Sequence, residues 1–276
     1  MWRPEPTAAP PPPEPAEVPV FILCGGQGTR LGDGAAGLPK PMLDIGDRPM
    51  LLHVMGCYGR HGYRRFVLCT GYRSEVIGAY FLDFAAHCAD FTVQLGTGGV
   101  TYHQREPVPD WEVTVAFTGE RTMTGGRLAR AAGRYLGEAR HFAVTYADGL
   151  TDADLGAELD FHLGHDRLGT VLAVEPPSPF GRLQLHEDGA TSGFVEKPRR
   201  SGQWVNGGFL LFRREFLGHL SDDDGCVLEQ EPLRRLTEEG QLAVFRHDGF
   251  WSCVDTVRDR DEVRGLWEGG AAPWKG

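Results

Sequence analysis

The residues with the clearest chemical potential lie between positions 20 and 42, VFILCGGQGTRLGDGAAGLPKPM. An apolar run over 20–24 has the length and composition of a strand buried on both faces. It opens into Gly25-Gly26-Gln27-Gly28, where glycines allow positive φ and let backbone N–H groups approach a ligand. Successive N–H groups in such a loop form an anion-binding concavity. Arg30 and Lys40 add two cations to the same neighbourhood, which suits a polyphosphate. Two generic phosphate motifs are excluded. GxxxxGK[ST] does not occur, and the dinucleotide fingerprint GxGxxG fails because Leu31 stands three residues after Gly28.

Lysine usage points the same way. Of 28 basic residues only Lys40, Lys197 and Lys275 are lysine, so a lysine here marks a place that wants a compact, flexible ammonium. Further along, Thr124-Gly125-Gly126-Arg127 is a glycine turn opening a helix, and a helix amino terminus with an arginine is a good site for an anion or a base edge. Asp148 follows an apolar strand, at the crevice where parallel α/β sheets bind ligands, and is a candidate metal ligand. Asp152 and Asp154 are better placed than Asp148 to cap the next helix. Asp255 also ends an apolar run, where it either caps the following helix or serves as a second ligand. Glu196-Lys197-Pro198 stands close to Asn206-Gly207-Gly208; taken singly, Glu196 reads as a surface charge and Asn-Gly as a common turn.

The elements that position these groups alternate. Strands are expected over 20–24, 66–72, 141–146, 169–175, 204–212 and 242–247, with helices over 49–61, 73–88, 152–166 and 227–239 and another from 256 to 267. Short connections between them imply a doubly wound, mostly parallel sheet with crossover helices. Three alternating segments between 91 and 119, and a hairpin around Asp188-Gly189, read as small β excursions. Residues 1–19 hold eight prolines and read as an extended or disordered tail without the features of a secretory signal. One domain is expected over 20–268, followed by a loose tail over 269–276.

At 276 residues, 41 % hydrophobic and 24 % charged, the chain has the composition of a soluble globular protein. Its net charge of −10 argues against non-specific nucleic-acid binding. No apolar run approaches the ~18 residues that a membrane span needs. The six cysteines show no CxxC or metal spacing and read as thiols in a reducing cytoplasm.

GGQGTRL with a later PKPM, then TMTGGRL, YADG, EKP, VNGGF, EQEPL and FWSCVDT in this order, resembles the sugar-1-phosphate nucleotidyltransferases, and most closely their glucose-1-phosphate cytidylyltransferase group. The resemblance runs from about residue 20 to 267. It implies the Rossmann-like nucleotidyltransferase fold, Mg²⁺ held by Asp148 and Asp255, and a homo-oligomer. It further implies nucleotide contacts from Cys24, Gly25, Gly26, Gly28, Thr29, Arg30, Lys40, Thr124, Gly125, Gly126 and Arg127. Arg30 and Lys40 would be catalytic, and Glu196, Lys197, Asn206 and Gly207 would bind the sugar phosphate. The implied reaction joins CTP and α-D-glucose 1-phosphate into CDP-glucose and pyrophosphate. The alternatives are another nucleoside triphosphate, a modified sugar phosphate, or a weakly catalytic nucleotide-sugar-binding regulator. The chain departs from the group at Leu38, where a lysine is usual, and at Ala147, where a glycine is usual.

Overall fold

Seven apolar stretches pair into one sheet in a computed structural model of the chain. The structure describes residues 11–26, 37–104, 108–176, 181–195 and 202–275. The strands are β1 (Val20–Leu23), β2 (Arg65–Thr70), β3 (Glu112–Phe117), β4 (His141–Tyr146), β5 (Gly169–Val174), β6 (Val205–Arg213) and β7 (Leu242–His247). Their spatial order is β7-β5-β6-β4-β1-β2-β3. β6 runs antiparallel to both neighbours, and the remaining pairs are parallel. The doubly wound, mostly parallel sheet expected from the alternation of elements is the one observed.

Side chains of β1 alternate between two cores, as a strand buried on both faces requires. Val20 and Ile22 enter one cluster with Met50, Val54 and Tyr58 of helix α1 (Met50–Gly59). Phe21 and Leu23 enter the other, opposite Leu128, Ala131 and Ala132 of the helix Thr124–Tyr135. The remaining helices are α2 (Ser74–Leu82), α3 (Phe84–Cys88), α4 (Thr124–Tyr135), α5 (Leu155–Leu163), α6 (Glu231–Glu238) and α7 (Val257–Glu268). Among the described residues no helix is long and apolar enough to cross a membrane.

Four local expectations change. Within the tail expected to be disordered over 1–19, Pro15–Glu17 form a 3₁₀ turn and Val18 is 1 % exposed in the core. The helix expected over 73–88 breaks at Asp83, whose φ of −97° and ψ of 16° separate α2 from α3. Of the three segments between 91 and 119, two form a separate ribbon, Ala89–Gln94 with Gly99–Gln104. The third is β3, an edge strand of the main sheet paired in parallel with β2. The carboxyl-terminal tail is packed: Pro273–Lys275 form a 3₁₀ turn in which Trp274 is 2 % exposed. Its indole N–H donates to His53 Nδ1 at 3.2 Å, and its ring stacks on Phe250.

Candidate active site

Two carboxylates far apart in sequence meet across a short ribbon. Gly149–Thr151 pairs antiparallel with Trp251–Cys253, placing Gly149 opposite Cys253. The Val254 N–H donates to the Asp148 carbonyl at 2.9 Å, which extends the pairing to the residues beside both acids. Helix capping is assigned elsewhere: Asp154 caps α5 and Thr256 caps α7. Asp148 and Asp255 are therefore left facing one cavity, whose volume is about 580 Å³.

Lys40 reaches between them. Pro39 and Pro41 flank it in a 3₁₀ turn closed by Met42 N–H to the Pro39 carbonyl at 2.8 Å. The ammonium donates to Asp148 Oδ2 at 2.6 Å and to Asp255 Oδ1 at 2.7 Å. Burial alone would lower its pKa, but attraction to Asp148 and the hydrogen bonds to both acids hold it above the ordinary lysine value. Lys40 is charged and half-neutralises the acid pair.

The Cys253 thiol lies with these carboxylates, all three ligand atoms falling within 4.8 Å of one another. Burial, then Asp148 and Asp255, push the thiol up to about 12. Two hard carboxylate oxygens fit a hard divalent cation, for which a soft thiol is a poor ligand. The donor set therefore suits a divalent metal held by Asp148 and Asp255.

The glycine loop borders the same cavity through Gly25 and Gly26. Gly25 is required by its neighbour: a Cβ there would lie 2.0 Å from Arg127 Cζ. Gln27, Gly28, Thr29 and Arg30 lie outside the described residues, as do Glu196 and Lys197. Cys24 is buried at the end of β1, and its backbone N–H extends the pairing to the Cys69 carbonyl at 3.0 Å.

The amino terminus of α4 differs from the anion cradle its sequence suggests. The Gly125 and Gly126 N–H groups donate to the Cys226 carbonyl at 3.0 and 3.1 Å. Thr124 Oγ1 donates to Glu229 Oε2 at 2.7 Å and accepts from the Leu228 N–H at 2.9 Å. Arg127 is 5 % exposed. Its Nη1 donates to the carbonyls of Thr70 and Gly119 at 2.9 and 2.6 Å, and its Nη2 to that of Gly25 at 3.0 Å. A buried guanidinium needs such acceptors. Thr124 and Arg127 line the cavity, and their donors are bonded to its wall.

Asn206 and Gly207 begin β6 on the far side of the cavity. Asn206 Oδ1 accepts from the Gly208 N–H at 2.8 Å, and the Gly207 carbonyl accepts from Trp251 Nε1 at 2.7 Å. Tyr146, Trp251 and Cys253 line the cavity and were not singled out from the sequence. Tyr146 and Cys253 each stand two residues before a proposed ligand, where strand periodicity directs side chains to the same side. Trp251 stands two residues before Cys253 on the same strand and carries the same signal.

A family model described as nucleotidyl transferase matches residues 20–263. The chain belongs to this family. A glucose-1-phosphate cytidylyltransferase from Salmonella typhi is 42 % identical to this nucleotidyl transferase, over 92 % of this chain and 97 % of its own. The mannose-1-phosphate guanylyltransferase catalytic subunit beta of Drosophila melanogaster is 27 % identical over 87 % of this chain and 60 % of its own. A Bacillus anthracis structure described as a glucose-1-phosphate thymidylyltransferase shares the fold. Its TM-score is 0.65 at 15 % identity, covering 92 % of this chain and 95 % of that one. The resemblance drawn from the motifs is borne out. Members of the family typically use a divalent metal, and the Asp148–Asp255 pair is a possible site for one in this nucleotidyl transferase.

Proposed function

We propose that the protein joins CTP and α-D-glucose 1-phosphate to give CDP-glucose and pyrophosphate. The observation that carries this reading is the Asp148–Lys40–Asp255 arrangement, which lines one cavity together with Gly25 and Gly26. The similarity to the Salmonella typhi enzyme supports the choice of base and sugar. The attacking oxygen belongs to a phosphomonoester whose second pKa is ~6, so it is largely ionised at neutral pH and needs no general base. Catalysis then consists of alignment and neutralisation of charge for an in-line displacement at the α-phosphorus.

Mg²⁺ is the proposed cation; held by Asp148 and Asp255, it would act as a Lewis acid on phosphate oxygens. Lys40 is the compact cation held by both carboxylates, and it would bridge the α-phosphate and the attacking group. The backbone at Gly25 and Gly26 approaches the nucleotide. Asn206 offers its side-chain amide at the sugar end, while Gly207 holds that wall through Trp251. Arg30 stabilises the leaving pyrophosphate, and Lys197 and Glu196 place the sugar phosphate; these three belong to the proposal from the sequence pattern alone. A reducing, cytoplasmic setting and a homo-oligomer complete the reading, and all six cysteines are free thiols.

The two departures bear little on the weak-regulator alternative. Ala147 is 5 % exposed and packs in the hydrophobic core. Neither Ala147 nor Leu38 is among the residues that line the cavity.

The test is pyrophosphate release with Mg²⁺ and glucose 1-phosphate, supplying CTP, UTP, dTTP, GTP and ATP in turn. Turnover with CTP alone is expected. Turnover with another triphosphate would replace the base and keep the chemistry. Binding without turnover would favour the regulator.

A further inference from the structure

Two side chains lining the cavity converge on one carboxylate that is not among its lining residues. Thr124 opens α4, and Tyr146 ends β4. Beside Tyr146 lies Gly208, whose φ of 82° and close approach admit only glycine; a Cβ there would be 2.8 Å from the Tyr146 ring. Gly208 is in turn tied to Asn206, so Tyr146 belongs to the sugar-side wall.

Thr124 Oγ1 donates to Glu229 Oε2 at 2.7 Å, and the Tyr146 hydroxyl donates to Glu229 Oε1. The direction of both bonds is determined. Thr124 Oγ1 already accepts from Leu228 N–H, so its single proton goes to Glu229. The Tyr146 phenol O–H donates to the Glu229 carboxylate, which only accepts. Each oxygen of Glu229 thus receives one donor from one wall. Glu229 itself is exposed and precedes α6.

We propose that Glu229 is a positioning residue that clamps Thr124 and Tyr146 at a fixed separation, so that the nucleotide-side and sugar-side walls together fit both substrates. The inference rests on reading this cavity as the nucleotide and sugar phosphate site. Glu229 is exposed, so these bonds compete with water and the clamp's effect lies in cavity geometry more than in stability. Positional errors of this kind reduce binding of both substrates together.

The test combines calorimetric binding with steady-state kinetics, using glucose 1-phosphate and whichever triphosphate the wild type turns over. The variants are Glu229→Ala, Glu229→Gln, Tyr146→Phe and the Glu229→Ala/Tyr146→Phe double. Glu229→Ala is expected to raise KM for both substrates about tenfold, with kcat changed by no more than about twofold. Tyr146→Phe should weaken binding in the same sense. The double variant should be no worse than the weaker-binding single, because both substitutions break one clamp. Glu229→Gln keeps one acceptor oxygen and should recover part of the loss. Additive effects in the double variant overturn the proposal. So does a Glu229→Ala enzyme that loses thermal stability and kcat with both KM values unchanged, or one that matches the wild type. If the wild type binds neither substrate, the functional reading fails and the clamp falls with it.

Discussion

At the scale of single residues, the site turns on one ammonium between two carboxylates. Lys40 touches both Asp148 and Asp255 at hydrogen-bond distance, and three charges this close cannot be altered singly without cost. Asp148→Asn and Asp255→Asn are each expected to reduce turnover about 10²–10³-fold, the scale of losing one preorganised electrostatic group. Lys40→Arg should lose about as much activity as Lys40→Ala, because a planar fork does not replace a compact ammonium. Single-turnover kinetics at saturating substrate checks both; near-normal rates in either acid variant would remove the metal assignment. Asp148 was legible because strand ends in parallel sheets face the ligand crevice. Asp255 was ambiguous from its neighbours alone, and Thr256, by capping α7 itself, settles that Asp255 is not the cap.

Among the elements, α5 carries two buried titratable groups with opposite consequences. Burial, followed by repulsion from His141, His165 and Arg213, pushes the His162 imidazole down to about 3. Between pH 6.5 and that value the unfolded chain binds a proton that the folded chain does not. Stability contributed by the neutral ring is therefore lost as pH falls, by about 1.4 kcal/mol per unit within the window. Glu158 lies one turn earlier, is 2 % exposed, and its Oε1 finds no hydrogen-bond partner among the described residues. Burial raises its pKa well above the ordinary value of 4.5, so the folded state keeps a proton that the unfolded state releases as pH rises. Denaturant titrations should show Glu158→Gln gaining stability relative to wild type at pH 8 more than at pH 5. His162→Phe should flatten the loss of stability between pH 6.5 and 4. A pH-independent difference for both variants would refute this account. The residue identities in α5 were readable as a helix; that its acid and imidazole are buried was decided by the sheet beneath it.

Across the whole molecule, the carboxyl terminus supports the site. Trp274 is buried between His53 of α1 and Phe250, which leads directly into the ribbon carrying Cys253 and then Asp255. Trp274→Ala is expected to cost ~3–5 kcal/mol, as large-to-small core substitutions do, and to lower turnover by loosening the ribbon. Thermal melts together with kcat test this; a normal melting temperature would show the tail to be dispensable.

The sequence by itself determined the alternating α/β architecture, the cavity-edge positions of Asp148 and Lys40, and the family. Each follows from local features: apolar runs of strand length, glycines where backbone must approach, and acids at strand ends. Only the tertiary structure decided where donors go. Arg127 sits beside Gly25 and Thr70, and so its Nη atoms hold backbone carbonyls together. The helix-terminal N–H groups of Gly125 and Gly126 meet the Cys226 carbonyl, a partner about a hundred residues away. The pairing of Asp148 with Asp255 likewise depends on a ribbon between distant segments. Such contacts are set by chain crossing and packing, which no local pattern encodes, and they separate a side chain that can bind a ligand from one that holds the wall around it.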